Sequence, residues 1–95
     1  MPNQELAREL AARDDQAGIQ EIADNLANKN KSVQSDCIKV LYEIGYLKPQ
    51  LIAQYAEVFL GLLHSKINRM VWGSMIALAT IARLQPEQLW AARRS

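Results

Sequence analysis

The chain is poor in the residues from which most local signatures are built: one cysteine, one histidine, three prolines, four glycines and a single phenylalanine in 95 residues. A lone Cys37 cannot close an internal disulfide, and the opening MPNQELAREL has no apolar signal core, so the expected compartment is the reducing cytoplasm. Scarce glycine and proline, with no period-2 alternation of β-branched or aromatic residues, leave too little turn chemistry for an all-β fold. No apolar run approaches ~18 residues, so no membrane span is expected. Reaction signatures are missing too: there is no HExxH, CxxC or GxSxG pattern and no glycine-rich phosphate loop. His64 has no Cys, Asp or Glu at a metal or triad spacing, and Cys37 falls on an apolar stripe, where a thiol acts as a small hydrophobe. The reading is a non-enzyme with no catalytic residue, metal ligand or cofactor.

What is present is helical periodicity, broken by polar strings and two prolines. Leu6, Ala7, Leu10 and Ala11 make a narrow stripe over residues 3–12. A second stripe of Ile19, Ile22, Ala23 and Leu26 predicts a helix over about 15–28, with Asp14 or Asp15 accepting its first-turn amides. After the polar string NKNKS, with Ser32 as the expected cap, Lys31 to Tyr46 carries Val33, Cys37, Val40, Leu41 and Ile44 on one stripe, widened by Ile38, Tyr42 and Gly45. Pro49 stops it and opens a fourth helix, about 50–64, apolar around most of its girth and therefore expected to be buried on several sides. A fifth, about 67–83, carries Met70, Ser74, Leu78 and Ile81 with Val71, Met75 and Ala82 beside them. Pro86 repeats the stop, and PEQLWAARRS begins a sixth.

An offset of 37 residues superposes Val33 on Met70, Cys37 on Ser74, Leu41 on Leu78, Ile44 on Ile81, Leu47 on Leu84 and Pro49 on Pro86, and it also pairs Ile22 with Phe59 and Leu26 with Leu63. The repeated feature is the order of apolar stripe, polar turn, apolar stripe and proline stop. Such a period means two helices per unit, each unit needing its neighbour to bury an apolar face. The expectation is one all-α domain over 1–95, with N-terminal helices in 1–28, a first full unit in 29–65 and a second, truncated unit in 66–95.

In the Val33, Cys37, Leu41 and Met70, Ser74, Leu78 triplets the chain resembles the HEAT and armadillo-like helical repeat family, whose second helices show an apolar, a small and an apolar residue four apart. It departs from that pattern at Gln34 and Val71, where Arg is common, and at Asn28 and Ser65, where Asp is common. Tetratricopeptide repeats compete, but their period of 34 and their signature residues are absent. The resemblance implies a short right-handed α-solenoid of about five to six antiparallel helices, acting as a scaffold that binds a protein partner on a concave surface lined by the second helices.

On that face lie Ser35, Lys39, Tyr42, Glu43 and Tyr46 of the third helix and Trp72, Ile76, Thr80 and Arg83 of the fifth, a mixture of aromatic and charged side chains suited to anchoring a partner. The competing reading of Trp72 and Ile76 is that they pack beneath the C-terminal segment. Residues 1–28 hold six acids against two bases and residues 29–95 four acids against nine, a net of −4 and +5. Lys29, Lys31, Lys66 and Arg69 fall in corresponding turns, and stacked units would align them on one basic edge. That edge is the basis of the second, less favoured reading, a nucleic-acid-binding module held by phosphate contacts of the kind HEAT-like DNA glycosylases make. Self-association through the C-terminal end, where the sixth helix stops early, is a third option.

Overall fold

The computed structural model describes residues 3–84, and among them every regular element is helical, with no strand. The order is α1 (Asn3–Ala12), α2 (Gln16–Asp24) with a 3₁₀ turn at Asn25–Ala27, α3 (Lys31–Leu47), 3₁₀ turns at Pro49–Leu51 and Ala53–Tyr55, α4 (Ala56–Leu62) and α5 (Asn68–Ile81). The expected sixth helix lies outside the described residues.

Local chemistry accounts for the first boundaries. At the end of α1 the amide of Asp15 donates to the Leu10 carbonyl (3.1 Å) and that of Asp14 to Ala11 (3.2 Å), while Asp14 takes the left-handed conformation at φ 48°. This is a Schellman closure in which an aspartate occupies the position usually given to glycine. Asp15 then caps α2, its Oδ1 accepting from the Gly18 amide at 2.9 Å, a contact of about 1 kcal/mol. Of the two candidate caps, therefore, one closes a helix and the other opens the next. Lys48 Nζ reaches Asp14 Oδ1 at 3.0 Å and ties the end of α3 to this corner. The cap of α3 corrects an expectation. Asn30, not Ser32, accepts from the amides of Ser32 (2.9 Å) and Val33 (3.3 Å). A residue capping α3 must stand outside its first turn with extended backbone, as Asn30 does at ψ 117°, whereas Ser32 is already helical.

α3 is the axis of the core: α1 and α2 pack on it, and so do α5 and the Pro49–Leu51 turn, while α4 packs on α5. Cys37, Ile38, Val40, Leu41, Ile44 and Gly45 are buried, matching the wide stripe and its several neighbours. Phe59, Ile19, Leu41, Ile44, Ile52 and Met70 are sealed from solvent, and each such large side chain contributes about 1.5–3 kcal/mol by leaving water.

Two close approaches set α5 against α3. A β-carbon added at Gly73 would lie 2.6 Å from Ile38 Cγ1, and one added at Gly45 would meet Ile52 Cδ1 at 2.9 Å and the Thr80 side chain. The pairs Ile38–Gly73 and Gly45–Thr80 advance by the same number of residues on both helices, so α3 and α5 lie side by side and run the same way. Thr80, expected on an open face, is buried under Gly45 and donates its hydroxyl to the Ala77 carbonyl. Met75, expected beside the core stripe, is exposed, because the glycine side of α5 rather than the Met75 side turns toward α3.

The largest departure is the fourth helix. In place of one helix over 50–64 the chain makes two 3₁₀ turns, leaves helical geometry at Ile52 (φ −112°, ψ −1°), and only then forms the seven-residue α4. Leu51, Ile52 and Ala53 are all buried. Three consecutive residues on a straight α-helix sweep ~200° and cannot all face one core, so the backbone tightens and bends to bury them. Two hydrogen bonds hold this segment to α2: Gln54 Nε2 to Gln16 Oε1 and the Tyr55 hydroxyl to Gln20 Oε1, each 3.0 Å. The expected burial on several sides is not found for α4 either. Val58 and Leu60 of α4 are exposed, away from its contact with α5.

Gly73→Ala should destabilise the protein by about 1–3 kcal/mol, because overpacking against Ile38 outweighs the gain in helix propensity. Gly61→Ala, whose new methyl would meet nothing within 4 Å, should instead stabilise by up to ~1 kcal/mol. Urea denaturation of both variants checks the contrast, and a stabilised Gly73→Ala would contradict the packing.

Candidate interaction groove

The approach of α3 and α5 at Gly73 leaves their outward side chains standing as two walls of a groove. From α3 come Ser35, Lys39 and Tyr42, three or four residues apart and so on one face. From α5 come Arg69, Trp72 and Ile76 at the same spacings. Ile38 and Gly73 form the floor, Asp36 and Asn3 close one end, and the enclosed volume is about 390 Å³. The Asn3 amide donates to Asp36 Oδ1 at 3.3 Å, so the start of α1 helps to shape that end.

Aromatic and charged groups alternate along these walls. Trp72 is 65% exposed although it belongs to a helix with a well-buried opposite face. Tyr42 is half-buried, and its ring meets that of Tyr46 edge to face, 6.0 Å between centroids at 79°. Burial, with smaller contributions from Glu43 and Tyr46, raises the Tyr42 phenol above its ordinary range and so further favours its neutral, hydrogen-bonding form. Lys39 and Arg69 are exposed and form no ion pair among the described residues.

A second cavity, about 230 Å³, continues from the first and shares Ser35 and Arg69 with it. Lys31 and Ser32 at the start of α3 and Ile67 and Asn68 at the start of α5 complete it. Two of the four turn cations, Lys31 and Arg69, are thereby brought to one cavity. Lys29 and Lys66 are exposed but line neither. Of the residues expected on the open face, Ser35, Lys39, Tyr42, Trp72 and Ile76 share the groove, while Glu43, Tyr46 and Arg83 lie outside its lining.

Asp36, Ile38 and Gly73 were not singled out as site residues in the sequence. For Gly73 a signal existed: a glycine inside a helix costs roughly 0.5–1 kcal/mol against alanine and so marks a close backbone approach. Ile38 and Asp36 had no such mark.

Elsewhere Arg8, Ala11, Ala12, Leu47 and Lys48 enclose about 260 Å³ between α1 and the end of α3. Among the described residues no group of three or more His, Cys, Asp or Glu is placed to hold a metal ion, and no helix is long and apolar enough to cross a membrane. No family model, curated protein or solved structure matches the chain.

Cys37 is 7% exposed, and burial, with a smaller contribution from the Asp36 carboxylate, raises its thiol above the ordinary range. Both effects disfavour the thiolate. Ellman's reagent should modify the native protein at least about tenfold more slowly than the urea-unfolded chain, because reaction must wait for an opening. Equal rates would put the thiol at the surface.

Proposed function

We propose that this protein is a non-enzymatic interaction module that holds a segment of a protein partner in the groove between α3 and α5. The observation that carries the reading is the Trp72 indole, 65% exposed on a groove wall opposite Tyr42 and beside Ile76, with cations at the rim. Leaving a tryptophan in water forgoes the burial its size would give, and Trp, Tyr and Arg are the side chains that anchor interfaces most often.

The scaffold in this reading is a short right-handed solenoid of HEAT-like units with antiparallel helices inside each unit. Support comes from α3 and α5, equivalent under the 37-residue offset, lying side by side in the same direction, as second helices of successive units must. The groove between them then corresponds to the concave surface implied by the resemblance, in a cytoplasmic setting. The nucleic-acid reading is supported by Lys31 and Arg69 sharing one cavity, but two aligned cations are a short track for a phosphate backbone.

Trp72→Ala combined with Tyr42→Ala should remove capture of the partner from an extract of the native host, at unchanged helical circular dichroism. Leu60→Ala, at another exposed apolar residue, on α4, should retain it. Affinity capture with mass spectrometry reads the difference, and equal retention by both variants would count against the groove.

A further inference from the structure

We infer that the groove takes an acidic peptide segment carrying one large apolar side chain, an inference that rests on the groove being the interaction site. Its two cavities divide the work. Trp72, Ile76 and Tyr42, over a floor of Ile38, offer an apolar recess at one end. Arg69 stands where the cavities meet, Lys31 lines the smaller one and Lys39 the larger.

Charge decides the partner's sign. None of these three cations is ion-paired among the described residues, whereas Arg13–Glu9 and Lys48–Asp14, which do form side-chain ion pairs, lie away from the groove. The acid in the lining is Asp36, whose Oδ1 accepts from the Asn3 amide. Three cations against one acid, in a cleft with apolar walls, favour an anion and disfavour a basic segment. The start of α5 adds to this, since Ile67 supplies no side-chain cap and the positive end of that helix faces the smaller cavity. Arg69 presents a planar fork that matches a carboxylate, and Lys31 and Lys39 contribute point charges.

A peptide fits these dimensions better than a polyanion. The cations are spread over one groove rather than along a track, and the excess of acids in residues 1–28 opposes a long phosphate backbone. The recess asks for an apolar anchor, which a phosphate chain does not supply.

Displayed random decapeptides selected on the full chain, with sequences that also bind Trp72→Ala discarded, test the inference. The recovered peptides should be enriched in Asp and Glu around one Phe, Leu or Trp. Their affinity should fall with added salt and weaken by about tenfold or more in the double variant Arg69→Glu, Lys39→Glu, a loss of ~1.4 kcal/mol or more. Both side chains are exposed, so the variant should keep its helical circular dichroism.

Recovery of neutral or basic peptides would overturn the acidic preference while leaving the groove as the interaction site. Recovery of nothing that depends on Trp72 would overturn both. A single-stranded oligonucleotide that binds more tightly than the peptides, and loses binding in the same double variant, would reassign the cations to nucleic acid. Salt-sensitive dimerisation that the double variant abolishes, with no peptide bound, would make a second copy the occupant.

Discussion

The absence of two β-carbons, at Gly45 and Gly73, lets α3 and α5 lie against each other, and much of the architecture depends on that approach. Ile38 fills the space at Gly73, and Thr80 and Ile52 fill that at Gly45. Because both contacts run in the same direction along the two helices, the chain between them must return over the length of α3 before α5 begins. It does so through two 3₁₀ turns and the short α4, burying Leu51, Ile52, Tyr55 and Phe59 on the way. The glycines cost helix propensity, and the close packing offsets that cost.

The same approach creates the groove. With the floor of the α3–α5 contact formed by Ile38 and a bare backbone at Gly73, the residues one turn to either side are left as facing walls. Trp72 is next to the glycine in sequence and points away from the core for that reason. Its exposure follows from helical geometry: if Gly73 and Ala77 face inward, Trp72 lies ~100° around the helix from Gly73, toward the rim. The proposed interaction surface and a packing constraint thus share one stretch of α5, and a change at Gly73 would disturb both.

Electrostatics are arranged on a coarser scale. Acids gather in residues 1–28 and bases in the remainder, and Lys48–Asp14 is an ion pair that crosses this division. Lys48–Asp14 joins the corner between α1 and α2 to the end of α3, a surface pair of small energetic weight whose value is positional. The cations of the groove are left without such partners among the described residues. Their desolvation is slight while the groove is open, and pairing with a carboxylate there would be strengthened by the neighbouring apolar walls.

Much of the helical layout was legible in the sequence because its causes are local. The bounds of α1, α3 and α5 follow from apolar spacing, from prolines and from caps that act within one turn, and the Asp14–Asp15 pair was recognisable as the source of a cap for the same reason, though not which of the two supplies it. The stripe of α3 was legible in its buried members, since its periodicity is unbroken, while Val33 and Tyr42 at its margins are only partly buried. Five residues placed on the open face by subtracting that stripe from each helix, Ser35, Lys39, Tyr42, Trp72 and Ile76, line the groove. What only the tertiary structure decided depends on residues about 35 positions apart: which face of α5 meets α3, the burial of Thr80, the exposure of Met75, and the meeting of Arg69 with Ser35 and Lys31. The break in the fourth helix belongs with these, because hydrophobicity around a helix is the same whether the helix stays straight or bends, and only the surface of α2 and α3 beneath it selects the bend.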